Sequence, residues 1–154
     1  MLTIRGAIES DLPEILKIQA EAFGEYQGTY ETSAWTKETL ENVRLDSREK
    51  VVLVAELDGA VVGSVRYWIA GGVCVIRLLS VRPTYQGHGI GKALLREVER
   101  LAADAHKFYV CTMLRASRNI GMFLNLGYRP ESLLPDQYHH ADLICFSKYP
   151  KPSR

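Results

Sequence analysis

Residues 73–101 place three features in an order that restricts how this chain can fold: an apolar run, a glycine-rich turn and an amphipathic helix. The run at 73–81 is rich in Val, Ile and Leu, which predicts a buried strand. Pro83 ends this pattern, because proline has no backbone N–H to donate to a sheet. From Ile90 onward, apolar residues recur at helical spacing with charged residues between them. A strand, a tight turn and a helix therefore follow one another directly.

The turn can hold an anion the size of a pyrophosphate. Its glycines lack Cβ atoms, so backbone N–H groups can approach a bulky ligand closely. The following helix, which we expect to begin near Gly89 or Gly91, directs its unpaired N–H groups and the positive end of its dipole to the same place. Three side chains in or near the turn add positive potential: Arg82, His88 and Lys92.

A glycine-rich turn between a strand and a helix also has other interpretations. A dinucleotide-binding turn fits poorly, because the spacing is G-x-G-x-G and no acidic residue ends a strand about 20 residues later. A Walker loop is excluded, because Ala93 stands where a Ser or Thr would hold magnesium. A plain tight connection without a ligand stays open on the glycine pattern alone.

The composition predicts one soluble globular domain over residues 1–154. The hydrophobic share of 47% and the charged share of 24% are close to the globular average. A net charge of +1 argues against a nucleic-acid partner bound through a basic face. The chain starts with a strand-like segment and contains no apolar run long enough to span a membrane. We therefore expect a cytoplasmic protein with no nucleic-acid partner and no membrane partner.

The cysteines and histidines show no metal-binding pattern. Cys74, Cys111 and Cys145 each lie in an apolar strand-like run, where small buried thiols are common, so we expect core residues without a catalytic role. The chain has no CxxC motif, and the rings of His139 and His140 would point to opposite sides of an extended strand. No metal site is predicted.

Periodicity and turn residues predict the order β-α-α-β-β-β-α-β-α-β-β. Asp58-Gly59 is the strongest hairpin signal, and Gly24 and Gly127 are placed to end helices. The polar, aromatic segment 25–35 is expected to be a loop and a candidate substrate surface. The predicted strands are 3–7, 51–57, 60–70, 73–81, 107–114, 128–131 and 141–148, and the predicted helices are 10–24, 36–45, one following the glycine turn, and 117–126.

The glycine turn resembles motif A of the Gcn5-related N-acetyltransferases. That motif is Gln or Arg, two residues of any type, Gly, any residue, then Gly or Ala, and here it reads QGHGIG at 86–91. Leu79, Val81 and Pro83 fit the family's approach from strand to loop. The segment 119–130 is similar to the family's motif B, in which a helix ends in Gly followed by an aromatic, here Gly127-Tyr128.

The resemblance implies a fold and a co-substrate. The fold is of the α/β (α+β) class, a mixed and mostly antiparallel sheet of about seven strands flanked by four helices and splayed at its central strands. The co-substrate is acetyl-CoA, whose pantetheine arm lies between the splayed strands and whose pyrophosphate lies on the glycine loop. The residues implied to bind it are Leu79, Val81, Gln86, Gly87, His88, Gly89, Ile90, Gly91, Lys92, Asn119 and Phe123.

The activity implied is transfer of an acetyl group to a primary amine, directly within a ternary complex. The acceptor is a small-molecule amine or a peptide or protein amine, and a homodimer is possible. Two alternatives are a CoA-binding module with degenerate chemistry and a transferase for a longer acyl group.

Two positions depart from the family's pattern of catalytic groups. Many relatives carry a Glu on the strand before the glycine loop, whereas here Arg77 is the only charged residue of 73–80. Phe123 stands where family members often place a Tyr that protonates the departing thiolate, and Ala116 stands where an Asn is expected. The acid and base are therefore unassigned, and the weak candidates are Glu21, Glu25, Tyr26, Asp136, Tyr138 and His139.

Overall fold

A computed structural model describes residues 1–24, 39–137 and 140–150. These residues form seven strands and four α-helices in the predicted order. Short 3₁₀ turns at Glu9–Asp11 and Pro83–Tyr85 precede α1 and the glycine loop. The elements are β1 (Leu2–Gly6), α1 (Leu12–Gly24), α2 (Leu40–Glu49), β2 (Val51–Leu57), β3 (Ala60–Ala70), β4 (Val73–Val81), α3 (Ile90–Leu101), β5 (Lys107–Met113), α4 (Ser117–Asn125), β6 (Arg129–Leu134) and β7 (Leu143–Lys148).

The strands form one sheet in the order β1-β2-β3-β4-β5-β7-β6. Only the central β4–β5 pair is parallel, and all other neighbours in this sheet are antiparallel. The helix between β4 and β5 makes this parallel connection possible, because parallel strands need a long crossover. The mixed, mostly antiparallel sheet with four helices confirms the predicted fold class.

The predicted bounds of β2, β3 and β4 are confirmed, and most other bounds shift by a few residues. Asp58 and Gly59 both adopt positive φ, at 50° and 87°, as a two-residue hairpin between β2 and β3 requires. Helix α2 begins at Leu40 and runs to Glu49 rather than over 36–45. Its start is fixed by Thr39, whose side chain accepts a hydrogen bond from the Asn42 backbone N–H at 3.2 Å.

Each face of the sheet carries its own apolar layer. Helix α3 buries Leu94, Leu95 and Val98 against one face, and α1 and α2 pack against the other through Leu12, Ile15 and Val43. On α1, Ile18, Gln19 and Ala22 are also buried, whereas Ala20 is exposed.

The buried guanidinium of Arg66 connects α1 and α2 to the sheet. Arg66 on β3 is 1% exposed, and its Nη1 donates to Asp46 Oδ2 of α2 at 2.7 Å. Its Nη2 donates to Gln19 Oε1 of α1. Removing either oxygen would leave a buried guanidinium short of acceptors, so this cluster fixes both helices over the centre of the sheet.

The central strands separate towards the glycine loop. The β4–β5 register runs from Val73↔Lys107 to Ile76↔Val110 and stops there. On its other side β4 carries one extra residue between the pairs Ser64↔Ser80 and Arg66↔Arg77, which is a β-bulge. Leu78 in this bulge has φ of 56°, a costly backbone conformation for a non-glycine residue. The predicted splay of the central strands is confirmed.

The expectation of free core thiols is wrong for Cys111 and Cys145 and correct for Cys74. Cys111 and Cys145 lie directly opposite each other in β5 and β7, with Cα atoms 4.0 Å apart, and form a disulfide. Sequence patterning missed this pair because β7 inserts between β5 and β6 and so becomes the neighbour of β5. Cys74 is a free, fully buried thiol, as expected. Among the described residues, no helix is both long and apolar enough to cross a membrane.

Candidate active site

A cavity of about 460 Å³ lies where β4 meets the glycine loop, and we call it the loop cavity. Its walls come from the end of β4, from residues 85–87 and 89–92 before and at the start of α3, and from one side of α4. The predicted binding residues that line it are Leu79, Val81, Gln86, Gly87, Gly89, Ile90, Gly91, Lys92 and Asn119.

The three glycines of the loop are needed for different reasons. Gly87 and Gly89 both have φ of 82°, and a Cβ at either would meet nothing within 4 Å. Backbone conformation therefore demands glycine there, and the space beside each stays open to a ligand. Gly89 is also the N-cap of α3, so its neighbours present the unpaired N–H groups of the helix start. Gly91 instead allows close packing, because its Cβ would lie 3.1 Å from Met122 Sδ of α4.

Side chains hold the loop against β4 and α4. Gln86 Nε2 donates to the Val81 carbonyl at 3.1 Å, and Arg118 Nη1 donates to Gln86 Oε1. His88 lines neither of the two cavities described here, and its Nδ1 lies 3.2 Å from the Tyr85 carbonyl oxygen. Gln86 therefore supports the loop conformation, and His88 contacts the loop's own backbone.

Positive charge reaches the loop cavity from Lys92 and Arg118. Arg82, expected to contribute, instead forms ion pairs with Glu14 at 2.7 Å and Glu21 at 2.8 Å on α1. Its charge is balanced within the fold. The same ion pair occupies Glu21, the one base candidate of the first helix that the structure describes.

A second cavity of about 220 Å³ opens between the separated strands, and we call it the splay cavity. It is lined by β4 and β5, by Asn119 and Phe123 of α4, and by residues near β6 and β7. Leu79 and Asn119 line both cavities, so the two meet at the β4 bulge. Asn119 is held there by donating from Nδ2 to Thr112 Oγ1 at 3.2 Å.

Phe123 is a core residue at the wall of the splay cavity. It is 1% exposed and its ring lies 5.4 Å from Phe146 and 5.9 Å from Tyr128, centroid to centroid. A hydroxyl is absent at this position. Tyr128 does not replace it, because burial and the nearby Glu99 carboxylate raise the pKa of the Tyr128 phenol.

The remaining acid and base candidates fall in two groups. Tyr26, Glu25, Tyr138 and His139 lie outside the described residues. Asp136 is exposed on the last loop and its Oδ1 lies 2.6 Å from His140 Nδ1. Among the described residues that line the splay cavity, there is no carboxylate.

Arg118, Met122 and Ser80 line the loop cavity and were not predicted from the sequence. Arg118 opens the first turn of α4, a helix that starts just past the end of β5. A helix start beside the carboxyl end of a central strand is a signal that could have located this residue. Met122 and Ser80 gave no such signal, because their apolar and strand patterns are those of ordinary core residues.

Comparison with known proteins identifies the family. The model of the acetyltransferase (GNAT) family matches residues 12–128, about three quarters of the chain. The chain belongs to the acetyltransferase (GNAT) family. It is therefore an acyltransferase enzyme. The sequence is also 24% identical over 137 residues to a "Putative [ribosomal protein bS18]-alanine N-acetyltransferase" of Bacillus subtilis, covering 88% of this acetyltransferase and 85% of that protein.

Solved structures agree with the fold of this acetyltransferase. The PaiA N-acetyltransferase of Thermoplasma acidophilum, solved in complex with coenzyme A, superposes with a TM-score of 0.82 at 18% identity, over 97% of this chain and 99% of that one. The ribosomal-protein-alanine N-acetyltransferase of Brucella melitensis has a TM-score of 0.78 at 26% identity, over 96% of this chain and 99% of that one.

Proposed function

We propose that this acetyltransferase uses acetyl-CoA to acetylate a primary amine by direct transfer in a ternary complex. The observation that carries the proposal is the junction of the two cavities at Leu79 and Asn119. One cavity has the backbone geometry of an anion site, and the other opens between β4 and β5 at the same bulge. The pyrophosphate occupies the loop cavity, and the acceptor enters through the splay cavity.

The β4 bulge supplies backbone groups for the thioester. Leu78 and Leu79 have no register partner in β3 or β5, both of which are fully described. We assign their main-chain groups, with those of Val81, to the pantetheine arm. The Leu79 N–H is the donor nearest the junction and polarises the thioester carbonyl as charge develops on its oxygen.

The charge state of the amine narrows the acceptor. A peptide α-amine with a pKa near 7.7 to 8.0 is about one-tenth neutral at pH 7, whereas a lysine amine is neutral in fewer than about one molecule in a thousand. An α-amine thus needs the least help from a base, which suits a splay cavity whose described lining has no carboxylate. The alanine N-acetyltransferases among the similar proteins are named for acceptors of this kind.

A catalytically degenerate CoA-binding module is the second candidate, favoured by Phe123 and by that missing carboxylate. A screen of α-amines, lysine derivatives and polyamines with acetyl-CoA, following release of the CoA thiol, separates the two. Steady thiol release with an acetylated product supports transfer, whereas tight binding of acetyl-CoA without release supports the module. Mass spectrometry of the co-purified ligand tests a longer acyl group.

The variant Phe123→Tyr reports on the missing acid. A correctly placed hydroxyl typically contributes about 10²- to 10⁴-fold where protonation limits the rate. Increased turnover would show that protonation of the thiolate limits the native enzyme, and unchanged turnover would show that it does not.

A further inference from the structure

Arg77 is the last residue of β4 before the bulge. It pairs across the strands with Arg66, so its side chain lies on the sheet face that α1 and α2 cover. It is exposed and lines the splay cavity beside Leu78 and Leu79. The Arg77 side chain and the backbone groups assigned above to the thioester therefore belong to the same cavity.

The charge of Arg77 is not balanced by any described residue. Its cross-strand neighbour Arg66 is paired with Asp46, and Arg82 at the other end of the strand is paired with Glu14 and Glu21. No described residue forms an ion pair or a side-chain hydrogen bond with Arg77. It is also the one charged side chain among the described residues that line the splay cavity.

Among the described residues Arg77 has no charge partner and the rest of the splay-cavity lining is neutral, and a guanidinium in such a setting selects by charge. It repels an acceptor that carries a second cation, such as a diamine or a lysine side chain. It attracts a carboxylate, which it can bind through two parallel N–H···O bonds, a geometry that a lysine cannot reproduce. Tyr109, Thr112 and Gln137 add neutral polar groups to the same cavity without opposing this charge.

We propose that Arg77 binds a carboxylate of the acceptor, so that the preferred substrate is a primary amine carrying a nearby acid group rather than a polyamine. This inference rests on the proposed function for the direction of transfer. The carboxylate belongs either to a free amino acid or to an acidic residue next to the N-terminus of a peptide. The charge chemistry is the same in both sources.

Acceptor pairs with and without the carboxylate test the inference on the full chain, with kcat/KM calculated per neutral amine because a carboxylate beside the amine raises the pKa of that amine. Alanine is compared with alaninamide, and the peptide Ala-Glu-Ala amide with Ala-Gln-Ala amide, each with saturating acetyl-CoA. For at least one pair, wild type should favour the acid on the order of 10- to 100-fold in kcat/KM, the range of a hydrogen bond to a charged group. The pair that shows the preference identifies the source of the carboxylate.

Substitutions at Arg77 should change that ratio. Arg77→Met should bring it close to one, Arg77→Lys should retain part of it, and Arg77→Glu should favour a diamine such as putrescine. Arg96→Met is the matched control, because Arg96 is an exposed arginine of α3 that lines neither cavity, and it should keep the wild-type ratio. Thermal melting verifies that each variant is folded.

A binding measurement separates this inference from the proposed function. Calorimetry of N-acetylalanine and N-acetylalaninamide, and of the N-acetylated Glu and Gln tripeptides, with CoA-saturated protein needs no turnover. Tighter binding of the acid to wild type, lost in Arg77→Met, supports the inference even if no amine is acetylated. If amines are acetylated but neither assay distinguishes acid from amide, or Arg77→Met keeps the preference, the assignment of Arg77 is overturned and the transfer activity stands.

Discussion

The loop cavity and the splay cavity share two residues but are built on opposite principles. The loop cavity is formed mainly by residues 79–92 and part of α4, and its features are backbone features: glycine φ angles, a helix start and open space. The splay cavity is assembled from β4, β5, α4 and the region of β6 and β7, and its chemistry depends on side chains. The comparison teaches that a site for a common co-substrate can be formed by the backbone of one short segment. A site for a particular acceptor is instead assembled from side chains that lie far apart in the sequence.

Charge follows the same division. Near the loop cavity, Arg82 is balanced by carboxylates of α1 while Lys92 and Arg118 line the cavity. In the splay cavity a single cation, Arg77, stands among neutral groups of the described lining. Substitutions in the glycine loop should therefore lower the affinity for acetyl-CoA whatever the acceptor. Substitutions of polar residues in the splay cavity should alter the choice of acceptor.

Phe123 is a buried residue of α4 that lines the splay cavity. Its replacement by alanine should have the largest effect on stability. Phe123→Ala removes a fully buried ring from the main core, which we expect to lower the free energy of unfolding by about 3 to 5 kcal/mol. It should also weaken acetyl-CoA binding, because the ring lines the opening between β4 and β5 where the pantetheine arm is proposed to end. Urea titration and calorimetry measure the two effects.

Phe108→Ala is the control for Phe123→Ala. Phe108 is 2% exposed in the same core but lines neither cavity. It should show a similar loss of stability with unchanged affinity for acetyl-CoA. Equal losses of affinity in both variants would mean that Phe123 acts only through the core.

Gly89→Glu should have the next largest effect, at the centre of the loop cavity. A glutamate there forces a non-glycine residue into φ of 82° and places a negative charge where the pyrophosphate is proposed to bind. We expect affinity for acetyl-CoA to fall by about two orders of magnitude, or about 3 kcal/mol, by calorimetry.

Gly59→Glu separates backbone strain from the loss of the anion site. Gly59 has φ of 87° and open space beside it, like Gly89, but lies in the hairpin between β2 and β3. Both variants should lose similar stability, and only Gly89→Glu should lose affinity. A folded Gly89→Glu protein with wild-type affinity would rule out this loop as the pyrophosphate site.

How much could be predicted from the sequence depends on how local each feature is. The glycine loop and the order of elements were predicted because turn residues and hydrophobic periodicity act over short distances. The splay of the central strands was predicted only through the resemblance of the glycine turn to the family's motif A. The Cys111–Cys145 disulfide was missed because it depends on β7 pairing with β5, across 34 residues. The sequence also could not show that Arg77 has no ion-pair partner among the described residues, since Arg66 and Arg82 differ from it only in their partners from distant helices.

Arg118→Met tests the side-chain hydrogen bond between α4 and the glycine loop. The substitution removes the hydrogen bond to Gln86 and one of the two cations of the loop cavity. Because a single charged contact near solvent is modest, we expect a loss of affinity for acetyl-CoA of about 5- to 10-fold. The loss should be reduced at high salt. Arg96→Met should leave the affinity as in wild type, and an Arg118→Met effect independent of salt would contradict an electrostatic role.

Replacing Cys74 should have the smallest effect on binding and transfer, because this residue lies in the core and lines neither cavity. Burial, with a smaller contribution from Glu99, raises the pKa of its thiol to about 12 from an ordinary value of 9.0. A group whose pKa is raised on folding stabilises the protein fully below the unfolded pKa, and that stabilisation is lost as pH rises from about 9 towards 12. Between pH 8 and pH 10 the thiol should therefore cost about 1 kcal/mol of stability, which urea titrations at the two pH values measure.

Cys74→Ala should be less stable at both pH values but should lose less between them. Equal losses in wild type and Cys74→Ala would show that the thiol ionises as easily in the folded chain as in the unfolded one.

A thiol held neutral in this way cannot attack acetyl-CoA near pH 7, which agrees with direct transfer to the amine and predicts that mass spectrometry finds no acetylated Cys74.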